Sequence, residues 1–355
     1  MTRTAQHWVS KRLIFAVAAC LSAWVAQAAE TDAHLWLDRM TRALATRNYD
    51  GQFLHLANGR TENMRIIHRV VDGAVTERLV SLDGSGRELI RTDTEVACYL
   101  PDQRTVLVER RTDRDPLLAN VPAYSEQLAA YYHLAAPRTG RVLGRSAQLI
   151  TILPRDRYRY GYHLWLDQAT AMPLKSELRD NENRVIEQMV FAELRLLASV
   201  DAALLKPAMS TEGFRWIRQE VRARRLVVNP DGRVEGWAVV NPPNGFRLTA
   251  TQVQNAEGSK RPVRQMVFSD GLASVSVFIE SKAKHRPDQV GLARMGAAFA
   301  FVVDMQDHWV TAVGEVPPST VEAIARAMQR ERVVTRARDT DDAVRDKQRA
   351  DSSKQ

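Results

Sequence analysis

Apolar residues first recur at helical spacing in Trp36, Met40, Ala43 and Leu44, with Thr31 or Asp32 placed to cap the turn before them. The pattern predicts an amphipathic helix over about 32–47, its apolar stripe meant for a core, ending at Asn48-Tyr49-Asp50-Gly51. Strands then dominate. Segments 64–71 and 74–82 flank Asp72-Gly73, a dipeptide that tolerates the positive φ angles of a tight hairpin. Asp83-Gly84 turns the chain into 87–91, and 95–100 and 105–109 flank Pro101-Asp102. A second helix is predicted over 125–134, then strands over 141–153, 157–166, 174–178 and 185–194, with turns at Asp167-Gln168 and Asp180-Asn181. In the 157–166 strand, Tyr158, Tyr160, Tyr162, Leu164 and Leu166 share one face, because successive side chains alternate sides. That face is a candidate wall of an apolar cavity; the ordinary alternative is a sheet face packed on a helix.

Strands joined by tight turns pair antiparallel, since parallel pairing needs long crossovers. The fold class expected is therefore α+β, with a large curved antiparallel sheet and a few helices on its concave side over residues 30–205. A polar, basic stretch with the breaker Asn229-Pro230-Asp231-Gly232 predicts a linker over 206–230. A smaller β-rich domain with a helix follows over 231–330. Its strands are 245–254, 263–268 and 272–280, a hairpin turn at Asp270-Gly271, then 297–303 and 309–313, and a helix capped by Ser319. From about 331 to 355, mixed charge and few large apolar residues predict a disordered tail.

The N-terminus changes the picture. Arg3, Lys11 and Arg12 precede an apolar run over 13–25, and Ala26-Gln27-Ala28 offers the small-x-small pattern of signal cleavage after Ala28. The run is shorter than the ~20 residues a membrane span needs. Val17-Ala18-Ala19-Cys20 is a loose lipoprotein box, but apolar residues continue after Cys20. The expectation is an exported periplasmic protein with segment 1–28 removed. Removing 28 of 355 residues leaves 327, enough for two domains, with Cys98 as the one remaining cysteine. Loss of Arg3, Lys11 and Arg12 lowers the formal charge from +8 to +5. Export argues against nucleic acid as a partner. The cluster Arg222, Arg224 and Arg225 near the linker suits an acidic protein partner or lipid phosphates, although most surface arginines are merely solvated.

Catalysis needs a constellation, and none is legible. Gly144-Arg145-Ser146-Ala147-Gln148 lacks the last glycine of a nucleophile elbow, and no phosphate-cradling loop or zinc motif occurs. His34, His55, His68, His133, His163, His285 and His308 stand singly and are expected to be surface or structural residues, and Cys98 a buried structural thiol. No enzyme, cofactor or metal is expected. Binding is the economical reading.

Several runs look familiar together: Asn48-Tyr49-Asp50-Gly51-Gln52-Phe53, Glu77-Arg78-Leu79, Leu82-Asp83-Gly84 before Arg87-Glu88, and Cys98-Tyr99-Leu100-Pro101-Asp102. Then come Tyr160-Gly161-Tyr162-His163-Leu164-Trp165-Leu166-Asp167, Pro173-Leu174-Lys175-Ser176, the run from Asp270-Gly271-Leu272 to Phe278-Ile279-Glu280, and Val313-Gly314-Glu315-Val316-Pro317. In this order they resemble the MucB/RseB family of periplasmic sigma-E regulators. The resemblance implies a large domain of the lipoprotein-carrier type, a half-open antiparallel barrel around an apolar cavity, with a smaller domain beside it. It implies a negative regulator of the envelope-stress response that binds the periplasmic part of a membrane-spanning anti-sigma factor, shields it from proteolysis, and releases it on sensing lipopolysaccharide or a lipidated ligand. It leaves open whether the chain forms a homodimer. Local physics adds two candidate surfaces, Arg222, Arg224 and Arg225 for a partner or phosphate, and Tyr158, Tyr160, Tyr162 and Leu164 for a lipid cavity. The alternative is a lipid or lipoprotein carrier without a signalling partner.

Overall fold

The computed structural model describes residues 32–110, 116–118, 124–219, 236–255, 262–282 and 290–330. The segment with Cys20 and Ala28, the cluster Arg222, Arg224 and Arg225, and the tail 331–355 lie outside the described residues. The first helix, α1 (32–46), buries Ala33, Trp36, Leu37, Met40, Ala43 and Leu44 on one stripe, as the 3.6-residue period requires. Among the described residues no helix is long and apolar enough to cross a membrane.

The chain continues as β1 (Asn48–Ala57), β2 (Arg60–Val71), β3 (Ala74–Ser81), β4 (Glu88–Arg91), β5 (Glu95–Leu100) and β6 (Thr105–Arg110). After α2 (Glu126–Tyr131) come β7 (Tyr132–Val142), β8 (Arg145–Pro154), β9 (Gly161–Asp167), β10 (Pro173–Arg179), β11 (Val185–Leu197) and β12 (Arg215–Gln219). These twelve strands form one open sheet in the order β12-β6-β5-β4-β3-β2-β1-β11-β10-β9-β8-β7. Seven neighbouring strands, β2 through β7 along that order, feed one core cluster with α1 and α2. Laid flat, seven strands would span about 29 Å at ~4.8 Å spacing. A 15-residue helix is about 22 Å long. The sheet therefore wraps around its helices, giving the half-barrel.

Four departures from the sequence reading shape the large sheet. Asn48-Tyr49-Asp50-Gly51 does not merely end α1; it opens β1, which sits mid-sheet between β2 and β11. Gly51 is there for space rather than for a turn, since a Cβ on it would lie 2.5 Å from the Phe191 ring. The Asp50 carboxylate is taken up by Arg65 (2.8 and 2.9 Å) and Arg195 (2.7 Å), and the hydrogen bond from Arg65 is the main cause of its lowered pKa. Second, the predicted 141–153 strand is a hairpin folded at Leu143-Gly144, both with positive φ, and leucine carries no turn signal. Third, the second helix ends at Tyr131, and 132–134 already belong to β7.

The fourth departure is β12, which pairs parallel to β6 whereas every other neighbouring pair in the sheet is antiparallel. The link from β11 supplies the long crossover a parallel pair needs. It runs over the face opposite α1, packing Val200 and Leu205 on Ile67, then Met209 and Phe214 on Tyr99 and Val106. A buried ion pair, Arg78–Glu88 at 2.8 Å, pins it by donating to the Leu204 carbonyl and accepting from the Ala208 amide. Residues 206–219 of the expected linker thus lie along the large sheet.

The smaller domain holds β13 (Trp237–Val239), β14 (Arg247–Asn255), β15 (Pro262–Ser269), β16 (Ser274–Ser281), β17 (Gly291–Met295), β18 (Ala298–Met305), β19 (His308–Gly314), α3 (Pro318–Ala327) and β20 (Met328–Arg330). Its six-stranded sheet runs β14-β15-β16-β19-β18-β17, and β13 pairs separately with β20. Val321, Ile324 and Ala325 of α3 pack on Met266, Val277, Val310 and Ala312. Ser319 does not cap α3: Pro317 holds that position, and the Ser319 hydroxyl reaches the Arg157 carbonyl of the large domain.

Ile150 is fully buried in the large core. Ile150→Ala is expected to lower unfolding free energy by about 2–5 kcal/mol, read from the denaturant midpoint of the large domain. A loss below about 1 kcal/mol would mean that this core is not close-packed there.

Candidate functional site

The two domains meet around one charge pair. Asp270 sits at the tip of the β15–β16 hairpin, where its Oδ1 accepts from the amides of Leu272 (2.8 Å) and Ala273 (2.7 Å) and so builds its own turn. Its Oδ2 accepts from the Tyr132 hydroxyl at 3.0 Å and faces the Arg159 Nε at 3.3 Å. Both charged side chains have no exposed area. Gln127 of α2 donates to the Asp270 backbone carbonyl at 2.9 Å.

Arg159 lies among three aromatic rings, with its guanidinium carbon 4.8 Å from the Tyr131 centroid, 5.2 Å from Phe246 and 5.6 Å from Tyr132. It also donates to the Asn244 carbonyl. Gly245 takes φ +90° and lies against Tyr131, where a Cβ would come within 2.6 Å of the ring. Thr320 of α3 completes the seam by donating to the Tyr158 carbonyl at 2.7 Å. Burial and the neighbouring Asp270 charge both raise the Tyr132 pKa, so this hydroxyl stays a donor.

Beside this seam lies a cavity of about 400 Å³. Its floor is the concave face of the large sheet: Phe53, Met64, Leu79, Leu178 and Met189. Leu117 and Leu118 close one side, and the smaller domain contributes Leu272 and Glu315. The Leu117 amide is held at 3.0 Å by the buried Glu77 carboxylate, which also pairs with Arg91 at 2.8 Å. A second cavity of about 310 Å³ shares Tyr162, Leu178, Leu272 and Glu315 with the first. Such volumes match small-molecule sites, and the mostly apolar lining of the first cavity suits a hydrocarbon chain.

Three titratable side chains line the first cavity besides Tyr162. His55 of β1 and Glu187 of β11 form a 2.7 Å contact between Nε2 and Oε1, and that bond is the main cause of the raised His55 pKa. Glu315 follows β19, and burial together with the Glu187 charge pushes its carboxyl up. Among the described residues no group of three or more His, Cys, Asp or Glu is arranged to hold a metal.

The four residues predicted to share a cavity wall separate. Tyr162 lines both cavities and Tyr160 the second. Burial pushes the Tyr160 hydroxyl up to about 12. Leu164 points the same way but is packed into the α1 core, and it lines neither cavity. Tyr158 leaves this face and packs against the smaller domain's core, because β9 starts only at Gly161. A Cβ on Gly161 would stand 2.8 Å from the Ile152 carbonyl, so the chain closes on β8 there and bends before it.

Sequence reading missed Arg159, Asp270, His55, Glu187 and Glu315. Asp270 was legible only as a turn residue, and Arg159 fell on the outward face of a predicted strand that begins four residues later than expected, at Gly161.

Comparison with known proteins places these features. Residues 32–209 match the family model of the MucB/RseB N-terminal domain, and residues 231–329 that of the MucB/RseB C-terminal domain. The sigma factor AlgU regulatory protein MucB of Pseudomonas aeruginosa is 34% identical over 315 residues, covering 84% of this chain and 92% of that protein. The sigma-E factor regulatory protein RseB of Salmonella typhimurium is 25% identical over 294 residues, covering 82% and 89%. The crystal structure of MucB in complex with MucA(peri) superposes with a TM-score of 0.64 at 31% identity, covering 84% of this chain and 99% of that one. A crystal structure of MucB alone superposes less well, with a TM-score of 0.55 at 30% identity, covering 85% and 98%. The chain belongs to the MucB/RseB family.

Proposed function

We propose that this chain is a periplasmic negative regulator of a sigma-E-type envelope-stress response. It holds the periplasmic part of a membrane-spanning anti-sigma factor, keeps it from proteolysis, and releases it when a lipopolysaccharide or lipidated ligand is sensed. The observation that carries this reading is the match of both domains, in order, to a family whose MucB member is solved in complex with MucA(peri). At nearly equal coverage, the present structure is more similar to that complex than to MucB alone. Two arrangements of the domains, one favoured by a partner, would account for that difference.

A ligand releases a partner only if it binds the partner-free arrangement better. The cavity lies against the seam, with walls from both domains, so an acyl chain entering it would act on the domain arrangement directly. The apolar lining is also what a plain lipid carrier would need, and that remains the second reading.

Purified chain, lacking residues 1–28, should bind the periplasmic segment of its anti-sigma factor in isothermal calorimetry, and added lipopolysaccharide should weaken that binding. Absence of binding in a folded protein would discard the regulator and favour the carrier. Filling the cavity with Leu178→Trp should leave partner binding in place but make it insensitive to the lipid. Full sensitivity in that variant would mean that the ligand acts elsewhere.

A further inference from the structure

The walls of the first cavity differ in how they are held. Its floor is hydrogen-bonded sheet, which opens only by breaking ladder pairs among β3, β2, β1, β11 and β10. Its smaller-domain wall, Leu272 and Glu315, is fixed by the Arg159–Asp270 register. The third wall, Leu117-Leu118, belongs to neither sheet. It lies in the chain between β6, second strand from one edge of the large sheet, and β7, the opposite edge. Among the described residues it is tied to the concave side through the Leu117 amide, 3.0 and 3.3 Å from the two carboxylate oxygens of Glu77. Glu77 shares a face of β3 with Leu79 of the cavity floor, two residues on. Glu77 and Arg91 are both buried and 2.8 Å apart. His68 Nε2 stands 3.6 Å from the same carboxylate, but burial lowers its pKa to about 4 and its Nδ1 engages the Arg47 carbonyl. The ring is therefore neutral at neutral pH, and Arg91 rather than His68 supplies the cation of this contact.

An apolar pair of similar volume would serve the core as well as this ion pair does. What it could not do is accept a backbone N–H. Resting on the reading that this cavity takes the apolar part of a ligand, we propose that Glu77, oriented by Arg91, is a latch on the Leu117-Leu118 wall, and that the ligand enters by breaking the Leu117–Glu77 hydrogen bond. Glu77 is a positioning residue: it lines neither cavity and acts through the Leu117 amide. Of the three walls this one is held by the least, since the floor is a ladder and the domain seam is a buried pair with its shell of hydrogen bonds. The bond re-forms once an apolar chain is inside, because the chain offers the amide no acceptor in its place. The latch therefore sets how fast the cavity exchanges its contents and leaves the affinity nearly unchanged. An entering chain need not part the domains first; it reaches the seam from inside the cavity, where Leu272 forms the wall.

Stopped-flow fluorescence with N-phenyl-1-naphthylamine, an uncharged apolar probe, tests this on the chain lacking residues 1–28. Two variants remove the latch from opposite ends. Leu117→Pro deletes the donor and keeps the buried pair, whereas Glu77→Leu with Arg91→Met deletes the acceptor and replaces the pair by apolar side chains, an exchange that folded cores tolerate. In each variant that keeps native circular dichroism, association and dissociation rates should both rise at least about tenfold, the scale of one hydrogen bond to a charged acceptor, with little change in Kd. A purely structural role for Glu77 would instead lower affinity without speeding association, and that result overturns the latch. Unchanged rates in a folded double variant overturn it equally, with the cavity reading intact. Failure of the unsubstituted chain to bind the probe, in a protein whose circular dichroism is native, removes the cavity reading and the latch with it.

Discussion

The structure turns on a charge pair that no water reaches. Arg159 and Asp270 come from different domains, are fully buried, and are bound into a shell of Tyr132, Gln127 and the Asn244 carbonyl. Burying two opposite charges roughly breaks even against an apolar seam, so the pair contributes little net adhesion. Its effect is directional. Without Arg159 the buried Asp270 is left with no cationic partner, at a cost of about 3–5 kcal/mol, whereas Arg159 without Asp270 keeps only the part-exposed Asp156 at 3.4 Å. The domains therefore meet in one register or separate; sliding is penalised. Gly245 against Tyr131 and Thr320 against the Tyr158 carbonyl reinforce the same register from either side.

That register creates the cavity. Its floor belongs to the large sheet, but Leu272 follows Asp270 by two residues, and Glu315 closes the mouth from the strand beside that hairpin. Moving the hairpin tip moves a cavity wall. Occupancy of the cavity and the angle between domains are thus coupled through a few ångströms of packed side chains, the kind of bistable joint that converts a small change into a large one. A partner spanning both domains would feel that angle, which is how lipid sensing and partner release come to share one mechanism in the function proposed here.

Much of the fold was legible from patterning. The α1 stripe, the Asp72-Gly73 and Asp270-Gly271 hairpins and the antiparallel character follow from local chemistry that tertiary contacts did not override. The failures share a cause. Gly51, Gly161 and Gly245 carry glycine for room against Phe191, the Ile152 carbonyl and Tyr131, and local rules read such glycines as breaks or not at all. The parallel β12 depends on a crossover over the outer face, which no residue-level period encodes. Arg159 and Asp270, 111 positions apart by their numbers, have meaning only once the domains meet. The tyrosine alternation put Tyr160 and Tyr162 on one face, and both line a cavity, but it could not foresee that the chain bends before Gly161 and sends Tyr158 elsewhere.

The most direct measurement is the affinity of Asp270→Asn for the periplasmic segment of the anti-sigma factor. Asparagine still accepts the Leu272 and Ala273 amides, so the hairpin survives while Arg159 loses its cross-domain counter-charge and keeps only Asp156 of its own domain at 3.4 Å. The account predicts that each domain stays folded, that the two melt separately in calorimetry, and that partner affinity falls at least about tenfold, which is well under the full cost of an unpaired buried charge. A single melting transition with undiminished affinity would contradict it.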